Sequence, residues 1–384
     1  MPDLGIALLA ALILVSLAMS GNASVLVQPF IVWERSFSAT AVSVAPNALY
    51  VAGGKEVRRY DLKGNLLWIA DVDSVVTRLA RDPTGVYIVG SAPASNYNGE
   101  GFEQTNATLA RLDSGGGLVW SRELTTSSDS ETTSWASALA VDSTGIYVAG
   151  YTLQFYRYPQ YGWVAKTDFD GNQSWVQRLD PIAITTAISS WSRTVYVSGY
   201  SKGCLGNSDA DVCPVQAYVM AIDSNGKTIW TREIPSSCTP TTHSSSCDSN
   251  GAPRTFAEGI SVGVSGVYVS GWTEGVIPGQ IATSPGRGAV DAFVGRYDQN
   301  GTEPWIRQFG PAYSTVAYGI STGPRGTYVV ANDGLRQFDS NGNQLWLLKL
   351  DIAATSVSAS PTAIFLGGRS SIAEACATAS CAHP

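Results

Sequence analysis

Three features of the sequence predict an all-β fold of like units closed into a ring. First, one phrase recurs: Arg59-Tyr60-Asp61-Leu62-Lys63-Gly64-Asn65-Leu66-Leu67-Trp68 reads as a strand, an Asp-x-x-Gly turn and a second strand ending on Trp. It returns at Arg111 to Trp120, Thr167 to Trp175, Ile222 to Trp230, Tyr297 to Trp305 and Phe338 to Trp346, and an orphan half, Val32-Trp33-Glu34-Arg35, comes before them all. Second, each Trp is followed by an alternating strand, a tight turn and a β-rich strand, as in Ile146-Tyr147-Val148-Ala149-Gly150. Third, the chain begins on an unpaired outer-type strand and ends on an unpaired inner hairpin.

One unit therefore holds four antiparallel strands: in one copy an inner strand a at Ala138 to Val141, then b at Ile146 to Gly150, c at Trp163 to Thr167 and an outer d at Gln173 to Leu179. Period-two alternation bounded by Gly and Asp is the strand and hairpin signal. By subtraction, successive Trp residues are spaced 35, 52, 55, 55, 75 and 41 apart. Four-stranded repeats of roughly 40–50 residues are the mark of propeller blades. The a–b phrase occurs at Ala41 to Gly53, Val76 to Gly90, Ala136 to Gly150, Ile184 to Gly199, Ala257 to Gly271, Val316 to Ala331 and Ala354 to Gly367, which predicts a seven-bladed β-propeller. Closing the last blade with Val32 to Phe37 removes the open edges that invite aggregation. The third strand of that blade is either Ser370 to Ala375 or Val25 to Gln28. The expected domains are a signal segment over 1–23, the propeller over 24–368 and a C-terminal tail over 369–384.

The recurring residues have physical reasons. Gly supplies positive φ in the turns. The turn Asp accepts backbone N–H groups. Trp is large and flat, and is expected to bury against the neighbouring blade with its N–H near an edge. The pattern resembles the β-propeller repeat of bacterial and archaeal cell-surface proteins and, more distantly, the pyrroloquinoline-quinone-type repeat. The resemblance spans roughly residues 31 to 368 and implies a fold; the repeat is scaffolding and carries no activity with it.

Leu4 to Met19 is apolar and uncharged, and Gly21-Asn22-Ala23 places small residues before Ser24, as in a secretory signal. The segment before it carries Asp3 and no Lys or Arg, so an uncleaved anchor is the alternative and the only expected tie to a membrane. Charged residues make up 14% with a net charge of −7, and no Lys/Arg cluster exists, which argues against nucleic acid. The expected location is secreted or cell-surface. Six cysteines fall as near neighbours, Cys204 with Cys213, Cys238 with Cys247 and Cys376 with Cys381, and read as disulfides in an exported chain, although six cysteines allow 15 pairings. Asn106, Asn172 and Asn300 fit the N-glycosylation acceptor pattern.

In such a blade the b–c and d–a connections share one face, and all long segments are of these two kinds. The densest aromatic run there, Tyr151 to Trp163, contains Phe155, Tyr156, Tyr158 and Tyr161, with Tyr97, Phe102 and Trp272 on adjacent blades. Exposed rings with polar tips suit a sugar or a protein surface. Asn207, Asp209 and Asp211 form the first half of a calcium loop. Val212 stands where Gly is needed and Tyr218 where Glu is needed, so no cofactor is expected, with calcium the secondary reading. No nucleophile elbow, phosphate loop or His-Glu-x-x-His is present, and His243 and His383 have no evident partners. Arg78, Glu131 and Glu258 lie near starts of strand a, by the expected channel mouth. The leading expectation is a non-enzymatic binder of a glycan, envelope component or protein through the long-loop face. The alternatives are a polysaccharide-acting enzyme with channel carboxylates and a structural surface or filament subunit.

Overall fold

The computed structural model describes residues 29–93, 105–126, 132–154, 161–179, 183–202, 215–238, 253–281, 283, 289–310 and 314–376. They form seven four-stranded antiparallel sheets, the blades of a β-propeller. Blade 1 is β2 (Ala41–Val44), β3 (Leu49–Gly53), β4 (Glu56–Tyr60) and β5 (Leu66–Asp71). Blade 2 is β6 (Val75–Asp82), β7 (Gly85–Pro93), β8 (Thr105–Asp113) and β9 (Leu118–Glu123). Blade 3 is β10 (Thr132–Asp142), β11 (Gly145–Gln154), β12 (Tyr161–Thr167) and β13 (Gln173–Leu179). Blade 4 is β14 (Ala183–Trp191), β15 (Thr194–Lys202), β16 (Val215–Asp223) and β17 (Thr228–Ile234). Blade 5 is β18 (Thr255–Gly263), β19 (Gly266–Thr273), β20 (Asp291–Tyr297) and β21 (Trp305–Phe309). Blade 6 is β22 (Ala317–Gly323), β23 (Gly326–Ala331), β24 (Gly334–Phe338) and β25 (Gln344–Leu348).

Blade 7 closes the ring. Its order is β1 (Phe30–Ser36), β28 (Ser371–Cys376), β27 (Ile364–Gly368) and β26 (Ala354–Ala359). The N-terminal strand is thus the outer strand, as expected, and Ser371–Cys376 rather than Val25 to Gln28 is the third. The propeller consequently continues past residue 368, into the segment the sequence assigned to a tail. Cys238 and Cys376 are not free thiols, and Cys376 is fully buried. Cys204, Cys213, Cys247 and Cys381 lie outside the described residues.

The repeated Trp hydrogen-bonds five of the seven blades to the next. Indole N–H groups of Trp33, Trp68, Trp175, Trp230 and Trp305 donate at 2.9–3.1 Å to the carbonyls of Leu62, Ser114, Ser224, Gln299 and Ser340 in the following blade's turn. The ring itself lies on the turn glycine: at Gly342, with φ +80°, a Cβ would sit 2.7 Å from Trp305. Inside blades 1 to 6 the b-strand Tyr meets that Trp, with centroids 6.0–6.2 Å apart from Tyr50–Trp68 through Tyr328–Trp346, and in blade 7 Phe365 meets Trp33 at 6.1 Å. The turn Asp accepts two backbone N–H groups, as Asp339 does from Asn341 and Asn343. Trp, Tyr, Gly and Asp therefore recur because they form one inter-blade joint, and each buried cluster mixes residues of neighbouring blades.

The inner hairpins run further than the alternation predicted. In blade 3 the pairing continues from Ala136↔Gly150 out to Thr132↔Gln154, so Tyr151 to Gln154 are strand, not loop. The cause is a β-bulge, present in strand a of six blades, at which one residue is left over and the side-chain alternation slips by one. The glycine ending each Tyr-Val-x-Gly phrase permits it. A Cβ on Gly90, Gly150, Gly199 or Gly271 would strike the carbonyl oxygen of Val75, Trp135, Ile184 or Phe256, the backbone just before the bulge.

Candidate functional site at the channel mouth

Strand a of all seven blades surrounds a central channel. Aligned on the bulge, the seven strands show a rule. The bulge residue is Thr77, Ser137, Thr186, Glu258, Tyr318 and Thr355 in blades 2 to 7, with Thr40 at the equivalent position of blade 1; the next is Ala41, Arg78, Ala138, Ala187, Gly259, Gly319 and Ser356. The third is aliphatic throughout: Val42, Leu79, Leu139, Ile188, Ile260, Ile320 and Val357 ring the channel.

In blades 1 to 4 the bulge hydroxyl is a clasp. Its one hydrogen is shared between a carbonyl of its own strand b and, at the shorter distance, the carbonyl preceding the bulge of the next blade: Thr40 to Val76 (3.0 Å), Thr77 to Ala136 (2.6 Å), Ser137 to Thr185 (2.5 Å) and Thr186 to Ala257 (2.6 Å). The following residue is small because it faces the narrow channel. Glu258 breaks the first half of this rule, as does Tyr318, and Arg78 breaks the second half. Repetition explains none of these three. Glu258 and Arg78 line the same cavity.

That cavity, of about 470 Å³, opens on the face carrying the b–c and d–a connections, and its lining includes Thr77, Arg78, Ser137, Tyr151, Tyr200 and Glu258. Among the described residues its only charged groups are Arg78 and Glu258. One N–H of Arg78 donates to Thr77 O at 2.8 Å, and among the described residues its other donors meet no acceptor. Glu258 Oε1 accepts from Trp272 Nε1 at 3.1 Å, while among the described residues Oε2 accepts from nothing. Burial pushes the Glu258 carboxyl above its ordinary range, against the Trp272 N–H and the Arg78 charge. Burial also pushes the Arg78 guanidinium down, with Glu258 opposing. The two groups feel each other without forming an ion pair. Each is half-buried and, among the described residues, short of partners, a condition in which a complementary ligand gains.

Aromatic rings flank them. Trp135 stacks on Tyr151 (5.3 Å), Tyr200 meets Phe256 edge-on (4.6 Å) and Phe256 stacks on Trp272 (4.2 Å), so three consecutive blades supply one wall. Two of these pairs are cross-strand neighbours, Trp135↔Tyr151 and Phe256↔Trp272, beyond the bulge. Arg254 lies over Phe256 and pairs with Glu274. Burial raises the Tyr151 and Tyr200 hydroxyls, and at Tyr200 the Glu258 and Tyr151 charges add to it.

Of the residues expected from sequence, Trp272, Arg78 and Glu258 meet at this mouth. Tyr161 does not: it sits in β12, is buried, and is covered by the Arg178 guanidinium 3.8 Å from its ring centre. Tyr97, Phe102, Phe155, Tyr156, Tyr158, Glu131, Asn207, Asp209 and Asp211 lie outside the described residues. Asn106 donates its amide to Glu123 and Asn172 to Asp168, while Asn300 is exposed at its turn. Trp135, Tyr200 and Phe256 were missed. A signal existed, because the residue after the phrase-ending glycine is aromatic in three successive blades, at Tyr151, Tyr200 and Trp272.

No known protein family and no curated protein sequence matches this chain. Among solved structures it is similar to the WD40 domain of Neurospora crassa Pan2, at 13% identity and TM-score 0.55 over 88% of this chain and 89% of that one. It is similar to BamB from Moraxella catarrhalis at 14% identity and TM-score 0.54, covering 91% and 100%. It is also similar to virginiamycin B lyase from Staphylococcus aureus at 11% identity and TM-score 0.51, covering 90% and 99%. These likenesses establish a β-propeller and single out no cell-surface repeat family.

Proposed function

We propose that this chain is an exported, non-enzymatic binding protein whose ligand enters the loop-face mouth of the channel. One observation carries the reading: the two charged departures from the seven-fold rule, Arg78 and Glu258, come from blades 2 and 5 and meet in one aromatic-flanked cavity. A scaffold needs neither residue. Residues that violate local consistency without structural gain are where function is expected. The ligand classes that suit such a mouth are a glycan, an envelope component or a segment of a surface protein. Export is supported by the apolar leader and the paired cysteines, and the three acceptor asparagines are proposed as glycan sites on that basis.

The glycosidase alternative requires two carboxylates about 5–10 Å apart. Among the described residues the cavity is lined by one, with a guanidinium as its charged companion, so binding is favoured over hydrolysis. The test is capture of envelope material or a glycan array by the purified chain, against Tyr151→Ala with Tyr200→Ala. Removing both rings is expected to abolish capture with the fold intact. Unchanged capture refutes the mouth as the binding site.

A further inference from the structure

The chemistry of the mouth narrows the ligand, an inference that rests on the binding reading above. Among the described residues, Arg78 offers a guanidinium fork with most of its donors unengaged, and Glu258 offers one unengaged carboxylate oxygen. The cavity therefore asks for one anion and, beside it, hydrogen-bond donors. A phosphate monoester, carrying about −1.5 to −2 charges, brings more negative charge than one guanidinium balances and sets the surplus against Glu258. A carboxylate brings one charge and matches the planar fork in bidentate fashion. Donors for Glu258 are then hydroxyls or an ammonium. Tyr151 and Tyr200 decide between them: both line the cavity, which among the described residues carries no charged group besides Arg78 and Glu258. The C–H face of a pyranose, slightly positive and apolar, suits the negative face of an aromatic ring, and its hydroxyls suit polar-tipped rings. A cavity of about 470 Å³ lies in the range of roughly 300–1,000 Å³ usual for small ligands.

We infer that the mouth binds a uronic-acid residue of an acidic polysaccharide, with its carboxylate on Arg78, its hydroxyls on Glu258, and its ring against Tyr151 or Tyr200. Arg78 is the specificity determinant for charge. Arg78→Ala is a safe variant, because Ala stands at this position in blades 1, 3 and 4.

The experiment is titration calorimetry of the full chain with trigalacturonate, its methyl ester, neutral maltotriose and the peptide acetyl-Gly-Gly. Trigalacturonate is expected to bind. Its methyl ester, which keeps the ring and loses the charge, is expected to bind at least about 10-fold more weakly, and Arg78→Ala is expected to weaken trigalacturonate by about 10–100-fold, as for loss of a charged hydrogen-bonded contact. Arg78→Lys is expected to recover part of that loss, keeping charge without the fork. Equal affinity for acid and ester, or an Arg78→Ala variant that binds trigalacturonate undiminished, overturns the inference. Preference for acetyl-Gly-Gly or maltotriose overturns the uronate and leaves the mouth as a site. Absence of binding by all four probes overturns the uronate too, and capture by the Tyr151/Tyr200 pair then judges the wider reading separately.

Discussion

Glu258→Thr restores the residue type that blades 1 to 4 use at the bulge, so it is expected to stabilise the protein while removing a binding group. In those blades the hydroxyl reaches its own strand b at 3.1–3.2 Å and the next blade at 2.5–3.0 Å. The equivalent acceptors around residue 258 are the carbonyls of Ser270 and Ala317, by the registers Gly259↔Ser270 and Ala317↔Ala331. One such bond is worth about 0.5–1.5 kcal/mol net. The variant also removes a carboxylate that burial disfavours. Against this, Trp272 Nε1 loses its acceptor, but the ring is half-buried and water can replace it. A net gain of about 1 kcal/mol corresponds to a rise in Tm of about 1–3 °C for a chain of this size. The sign with pH is fixed. A carboxyl raised in the folded state favours folding below its unfolded pKa and ceases to as pH rises through the folded value. The advantage of Glu258→Thr is therefore smaller at pH 4 than at pH 7.5. Thermal unfolding of both proteins at the two pH values is the assay. A variant that melts lower than the parent at pH 7.5, or whose advantage shrinks as pH rises, refutes the idea that Glu258 is held at a cost in stability.

Other outcomes follow from the inter-blade joints. Gly342→Ala combines a left-handed φ with a 2.7 Å approach to Trp305 and is expected to cost about 2–4 kcal/mol, whereas Gly54→Ala, at φ +59° with open space around it, is expected to cost about 1 kcal/mol; urea midpoints separate them. Asp168 and Asp339 are held below the usual carboxylate range by the side-chain amides of Asn172 and Asn343 and by turn N–H groups, so they support folding above the ordinary Asp pKa and stop doing so as pH falls through their folded values; Asp168→Asn with Asp339→Asn is expected to flatten the acid limb of the stability profile. Ser321→Ala is expected to cost about 1 kcal/mol, since Ser321 Oγ accepts from Ala359 N at 3.0 Å across blades 6 and 7; Ser189→Ala, the same strand position in blade 4, is expected to be near neutral in the same denaturation assay.

The ring was legible because its determinants are local and repeated. Asp339, Gly342 and Trp305 signal a turn and its cover six times over with small variations, and the unpaired strand around Trp33 at one end matches the missing strand at the other. What alternation could not show was the bulge. One extra residue at Ser137 or Glu258 reverses which side chains face the channel, and period two carries no mark of it. Alternation therefore places Tyr151 in a loop, gives no sign of Tyr200 and Phe256, and leaves Tyr161 an exposed ring, whereas it lies under Arg178 in β12. Arg78 and Glu258 were noticed by position, but without the register there was no reason to prefer them to solvated surface charges.

With the register fixed, the repeat becomes its own reference. Seven copies of strand a state what the scaffold requires at each channel position, and a departure counts as informative only if the ring compensates for it. It does. Where the clasp at the mouth is missing, in blades 5 to 7, a second set of serines ties the far end of strand a: Ser261 Oγ accepts from Thr322 N (3.0 Å), Ser321 from Ala359 N (3.0 Å) and Ser358 from Val44 N (3.1 Å). Closure in that half of the ring is carried at the pole away from the mouth. Thr355 keeps the hydroxyl residue type yet makes no inter-blade bond, so the shift is a property of that half and not of single substitutions. Freed from holding blades together, the bulge position of blade 5 can present a carboxylate to the channel, and Arg78, across the cavity in blade 2, gives that carboxylate a charged counterpart it does not touch.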